Sequence, residues 1–151
     1  MRKIVLPLLA SLVVATPAVA NEIRVEARGG VIWNSGDSEA TAGVAAGYDY
    51  DLGPAAFAGA EVSADKILTS GTKVAYGFTG RLGAKLAATK VFAAGGYTTE
   101  PVDNTKGAWH AGAGAELPLM GNIYGKVEYR HYFVDNFSDS DSVVAGVGVK
   151  F

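Results

Sequence analysis

Val143-Val144-Ala145-Gly146-Val147-Gly148-Val149-Lys150-Phe151 ends the sequence, and its alternation decides how the rest is read. Val143, Ala145, Val147, Val149 and Phe151 make one face, opposite Gly146, Gly148 and Lys150. A period of two means a strand with two different sides. The preceding run repeats the pattern. Ile123, Gly125, Val127, Tyr129 and Phe133 alternate with Lys126, Glu128 and Arg130, and only His131 breaks the apolar face.

Working back toward the N-terminus, the sequence after residue 20 divides into eight such runs, at about 22–33, 41–50, 55–65, 72–86, 89–98, 106–117, 122–134 and 142–151. Turn-rich pieces separate them: 34–38, 51–54, 66–71, 87–88, 99–105, 118–121 and 135–141. The odd-numbered connections are longer, polar and mostly acidic; the even-numbered ones are short. Outer-membrane barrels have this asymmetry, with long loops outside and tight turns on the periplasmic side. The fold expected is all-β, an eight-stranded antiparallel up-and-down transmembrane β-barrel. The fifth run is the hardest to orient, because Phe92 falls on its polar face.

Alternation alone does not say which face is outside, since a soluble lipocalin-like barrel alternates too. Two features decide for lipid outside. The less apolar face is full of small residues, among them Gly43, Ala45, Gly47, Gly59, Gly77, Gly112 and Gly114. A water-exposed surface would carry long polar side chains, whereas a narrow lumen must mix small residues with a few large ones. Aromatics also gather at the strand ends: Trp33, Tyr97, Trp109 and Phe133 toward the loops, and Tyr48, Tyr50, Tyr124 and Phe151 toward the turns. Two such bands match interfacial girdles.

With the polar face inward, the lumen is expected to hold Arg24, Glu26, Arg28, Asp49, Glu61, Arg81, Lys85, His110, Glu116, Lys126, Glu128, Arg130 and Lys150. Charges in such a place persist only when paired and hydrogen-bonded. The expectation is therefore a salt-bridged plug without a continuous wide pore. Bases outnumber acids in this set, which predicts a weak anion preference for any water path.

The first 20 residues read as a cleaved secretory signal peptide: Arg2 and Lys3, the apolar run Ile4–Val14, then Ala18-Val19-Ala20. Residues 21–151 are then the barrel domain. Without Arg2 and Lys3 the formal charge moves from −2 to −4, which argues against a nucleic-acid partner. Cysteine is absent, so neither disulfides nor a Cys-linked lipid anchor is available.

Glu128-Tyr129-Arg130, followed by a polar loop and the run 143–151, resembles the last hairpin of OmpA-like and opacity-protein-like outer-membrane β-barrels. His131 stands where that family often has a second Tyr, and Val149 replaces its usual penultimate aromatic. The resemblance implies an integral outer-membrane protein in contact with outer-membrane lipid and lipopolysaccharide, monomeric, and carried by periplasmic chaperones. It implies that Phe151 is the signal read by the barrel-assembly machinery. It points to no single activity, since the family includes structural proteins, surface antigens, adhesins and narrow pores. With the sequence ending at Phe151, a cell-wall tether is not expected.

Enzymatic chemistry finds little footing. Some eight-stranded outer-membrane barrels modify lipid A, and their deacylase type resembles a His-x-Ser arrangement. Here His131 is followed at that spacing by Phe133. Ser138 lies in the next loop, and a His-activated Ser must be within hydrogen-bond reach. The loop 135–141 offers oxygen ligands at alternate positions but lacks the Gly turn and distal Glu of an EF-hand, and reads as a solvated acidic loop. It could also bridge to lipopolysaccharide through divalent cations. No cofactor or resident metal is expected. A structural or surface-interaction barrel is the first reading; a small-solute pore, a lipid A-modifying enzyme and a soluble periplasmic ligand-binding barrel are the alternatives. Loops of about six to eight residues are short for an adhesin, because a stable complex needs roughly 800 Å² per side.

Overall fold

A computed structural model describes residues 21–135 and 137–151. Residues 1–20, with the signal-peptide reading, lie outside the described part. Eight strands follow one another: β1 Glu22–Trp33, β2 Ser38–Asp51, β3 Ala56–Ile67, β4 Val74–Leu86, β5 Thr89–Thr98, β6 Ala108–Met120, β7 Ile123–Phe133 and β8 Ser140–Lys150. Each pairs antiparallel with its chain neighbours, and β8 closes on β1, giving an up-and-down closed barrel. Closure leaves no sheet edge, which hydrocarbon demands because no water is there to satisfy one. The ring is completed by Phe151 N–H to Ile23 O at 2.9 Å and Ile23 N–H to Phe151 O at 3.1 Å.

The strands extend into several pieces expected as turns. β2 begins at Ser38, because Trp33 pairs with Ser38 and the first loop shrinks to 34–37. β3 takes in Lys66 and Ile67, and β6 runs on through Pro118 to Met120. Pro118 faces Tyr124, and the register shifts between Pro118 and Met120. A proline without an N–H is accommodated at such an irregularity. The acidic loop expected at 135–141 is shorter too, since Ser140 and Asp141 belong to β8. Polar residues continue the ladder here because the barrel mouths are wet and register is already fixed by the apolar faces below.

Those faces point outward. Val25, Val44, Val62, Phe78, Leu82, Val127 and Val147 are all exposed on the barrel wall. Trp33, Tyr97, Trp109 and Phe133 form a row at the loop end, joined by the pairings Tyr97–Trp109 and Trp109–Phe133. The Tyr97 and Trp109 rings meet edge-to-face at 5.4 Å. Tyr48, Tyr50 and Phe151 stand outward at the other end. Tyr124 does not join them: it is 1% exposed and lies inside the barrel. Its even number puts it on the lumen face with Lys126, Glu128 and Arg130, and the hydroxyl finds a carboxylate there.

Candidate functional site

Every charged lumen residue in the expected set points into the barrel, and the geometry ties them together. Glu61, on β3, is the hub. Its Oε2 accepts from Arg24 Nη1 at 3.1 Å and Lys126 Nζ at 3.2 Å. Its Oε1 accepts from Arg28 Nη1 at 2.9 Å and Arg130 Nη2 at 3.1 Å. β1 and β7 thus reach the same carboxylate from two sides. Glu128 also holds Arg130, and Glu26 accepts from the Tyr124 hydroxyl at 2.7 Å. Arg24, Glu26, Glu61, Lys126, Glu128 and Arg130 are all buried.

A second group sits toward the turn end. Asp49 is gripped by Arg81, with Nε at 2.9 Å and Nη2 at 2.6 Å, the two-pronged geometry that suits a guanidinium to a carboxylate. Lys90 Nζ reaches the same Asp49 at 3.1 Å and Glu22 at 2.6 Å. Glu116 meets Arg81, and Lys150 Nζ at 2.9 Å. Lys85 lies at the rim, paired with Asp51 at 2.5 Å. Glu22, Asp49 and Glu116 bring carboxylate oxygens within 4.8 Å of one another, a spacing a cation could use. Lys90, Lys150 and Arg81 already supply that positive charge. His110 is buried apart from the ion pairs, its nitrogens 3.0 and 3.1 Å from the hydroxyls of Thr79 and Thr98.

Aromatic rings complete the packing. Phe57 and Phe92 are buried, and the Arg81 guanidinium lies over both, 5.1 and 4.5 Å from their centroids. Lys90 stands 4.8 Å from Phe57, and Lys150 stands 4.8 Å from Tyr124. Ring faces attract cations most strongly where water is excluded. Phe92 therefore keeps the polar-face parity that made its strand hard to orient.

Four charged members were left out of the expected lumen set: Glu22, which shares the polar face of the first run with Arg24, and Asp51, Asp65 and Lys90. Arg28 Nε donates to Asp65 at 2.8 Å, and the other three pair as described. Their parity was available, but Asp51 and Asp65 sit near strand ends and Lys90 shares the face of Phe92. With them counted, eight cations meet eight carboxylates in the ion-paired lumen, so the expected excess of bases disappears.

On the outer wall, His131 Nδ1 lies 2.7 Å from Asp141 Oδ1, its cross-strand partner, and Nε2 lies 3.4 Å from Asp139. Tyr129 donates to the same Asp141 oxygen at 2.5 Å. Among the described residues, no serine hydroxyl is hydrogen-bonded to His131. In the loops, Lys73 Nζ donates to Glu100 at 2.7 Å and Asp103 at 2.9 Å, which raises its pKa. That exposed clasp links the second and third long loops but adds little stability.

The family model for the outer membrane protein beta-barrel domain matches residues 5–151. The chain belongs to that family. A stretch of this outer-membrane barrel is 46% identical over 43 residues to the 25 kDa outer-membrane immunogenic protein of Brucella ovis; it covers 28% of this chain and 21% of that relative's length. The Ail attachment invasion locus protein of Yersinia pestis is similar in fold, with TM-score 0.58, 12% identity, and coverage of 88% of this chain and 99% of Ail. So is the de novo designed barrel TMB2.3, at TM-score 0.58 and 19% identity, covering 89% of this chain and 97% of the design. At such identities the likeness is one of fold. Membership places the protein in the outer membrane and sets aside the soluble periplasmic barrel.

Proposed function

We propose that this protein is a structural and surface-interaction barrel of the outer membrane whose lumen is closed by the ion-paired network. The observation that carries this is the hub: Glu61, held by Arg24, Arg28, Lys126 and Arg130 in mid-lumen, with none of the five more than 6% exposed. Eight-stranded lumens have room for side chains and little else. A balanced set of charges has no surplus with which to select ions. The outer wall supports a monomer in lipid, with aromatic belts at both interfaces and four loops left for contact with lipopolysaccharide or another surface.

Residues 1–20 are removed on export, chaperones carry the chain, and Phe151 is read by the assembly machinery. A lipid A-modifying role is disfavoured, because both ring nitrogens of His131 face carboxylates and, among the described residues, none of its hydrogen bonds goes to a nucleophile.

Planar-bilayer recording on the refolded protein tests the plug. The expected result is a quiet membrane with at most brief openings. A steady, large conductance would overturn the proposal in favour of the small-solute pore. Mass spectrometry of lipid A from expressing cells should return an unmodified profile.

A further inference from the structure

The lumen is not filled at its loop end. Above Arg28 and Arg130 the inward side chains change character to Ile32, Ala75, Tyr132 and Val144, and they line a cavity of about 270 Å³ that reaches the loop residues. Pockets for drug-sized ligands begin near about 300 Å³, so this one suits only a more compact molecule.

Two observations give the cup its chemistry. Ser142 lines it, is 2% exposed, and its Oγ has no hydrogen-bond partner among the described residues. Buried hydroxyls are normally bonded, and an unpaired one asks what partner is missing. Its cross-strand neighbour is Arg130, which also lines the cup. Arg130 uses Nε on Glu128 and Nη2 on Glu61, so neither of these bonds engages Nη1. A hydroxyl and a guanidinium edge, both able to donate, therefore adjoin one largely apolar space. The lining carries four cations against three carboxylates, but Arg28 is matched by Asp65 and Glu61 and Arg130 by Glu128 and Glu61, so recognition rests on the two donors and not on surplus charge.

We infer that this cup is a binding site for a small amphipathic carboxylate. The carboxylate sits down on Ser142 and Arg130, and the apolar body lies against Ile32, Tyr132 and Val144. The site rests on the plugged reading of the lumen, because the ionic network is its floor.

The reporter for a test is already present. Trp33, with its side chain on the outward face of β1, also borders the cup at its loop-end rim, and the other tryptophan, Trp109, stands outward on β6 away from it. In the Trp109→Phe protein, refolded in nanodiscs, phenylacetate should shift Trp33 emission saturably. Phenylacetamide, neutral and of nearly the same shape, should need about tenfold more. Phenethylamine should give no saturable shift. Adding Ser142→Ala should weaken phenylacetate binding about three- to tenfold. Amide-shift mapping of the unsubstituted protein should move Ser142, Arg130 and Val144 and leave the turn-end residues still, which keeps the test independent of any variant's folding. Equal responses to the three probes, or responses linear in concentration, would mean partition into lipid and overturn the site. Steady ion conductance in the same preparation would remove the floor instead, and with it the plugged reading, whatever the ligand titration gave.

Discussion

Glu61 accepts four cations on two oxygens, while Glu26 reaches three of the same four and Glu128 two. Glu61→Gln keeps the shape and removes the charge, leaving Arg24, Arg28, Lys126 and Arg130 with one shared carboxylate fewer and only their outer partners, such as Glu26 and Glu128, to offset them. Breaking a buried pair by removing one partner costs about 3–5 kcal/mol. Urea unfolding of the refolded variant should show a loss of that order, whereas a change within 0.5 kcal/mol of zero, roughly the additivity error, would mean that Glu61 is no hub. At this scale the sequence was legible where charge marked the face. It was misleading where an aromatic was assumed to face lipid, as with Tyr124. What admits a large side chain inward is the residue opposite it. Phe92 faces Gly83 on one side and Gly114 on the other, and Tyr124 faces Gly148. A Cβ on Gly114 would lie 2.7 Å from the Phe92 ring, and one on Gly148 would lie 2.6 Å from Tyr124. That pairing signal becomes readable only once register is known.

Among the elements, the β4–β5 hairpin carries local strain. Leu86 pairs with Thr89, so Ala87 and Ala88 make a two-residue turn, and Ala87 has φ of 56°. Tight hairpin turns of this kind favour glycine at such a position. Ala87→Gly relieves about 1–2 kcal/mol of left-handed strain against an entropic loss of about 0.5–1 kcal/mol. The urea midpoint should rise slightly; a fall would show that the turn tolerates Ala without cost. The terminal strand invites a different test. Phe151 makes its two closing hydrogen bonds through its backbone, while its side chain is exposed. Phe151→Ala should therefore refold normally in detergent yet reach the outer membrane in lower yield, measured by cell fractionation. Equal yields would remove the assembly role proposed for the ring. Element identity was legible throughout, because a period of two survives in every run. Boundaries such as the start of β2 at Ser38 were not, because polar residues at a wet mouth look like loop.

The whole molecule turns the usual distribution inside out, with apolar residues on the wall and charge at the centre. That inversion was readable from small residues on the polar face. The neutrality of the centre was not, because it depends on Glu22, Asp51, Asp65 and Lys90 reaching across strands. Salt separates the two electrostatic zones. Raising ionic strength from about 0.1 to 1 M shortens the screening length from about 10 to 3 Å, but the central pairs lie out of reach of bulk ions. The unfolding midpoint should hardly move, while loss of the Lys73 clasp should appear as broadened or shifted loop resonances near Glu100 and Asp103. A marked fall in the midpoint would mean that water and ions reach Glu61.

The hub also has a bearing on time. Glu61 comes from the third strand and its four donors from the first and seventh, so the carboxylate cannot be satisfied by any hairpin alone. The full network then closes only once β1, β3 and β7 stand in one barrel, and opening the barrel must break it. Interactions absent from the folding transition state act on the rate of unfolding rather than folding. Glu61→Gln should insert into bilayers about as fast as the natural chain and leave the folded state much sooner, which makes the carboxylate a latch on the barrel's lifetime.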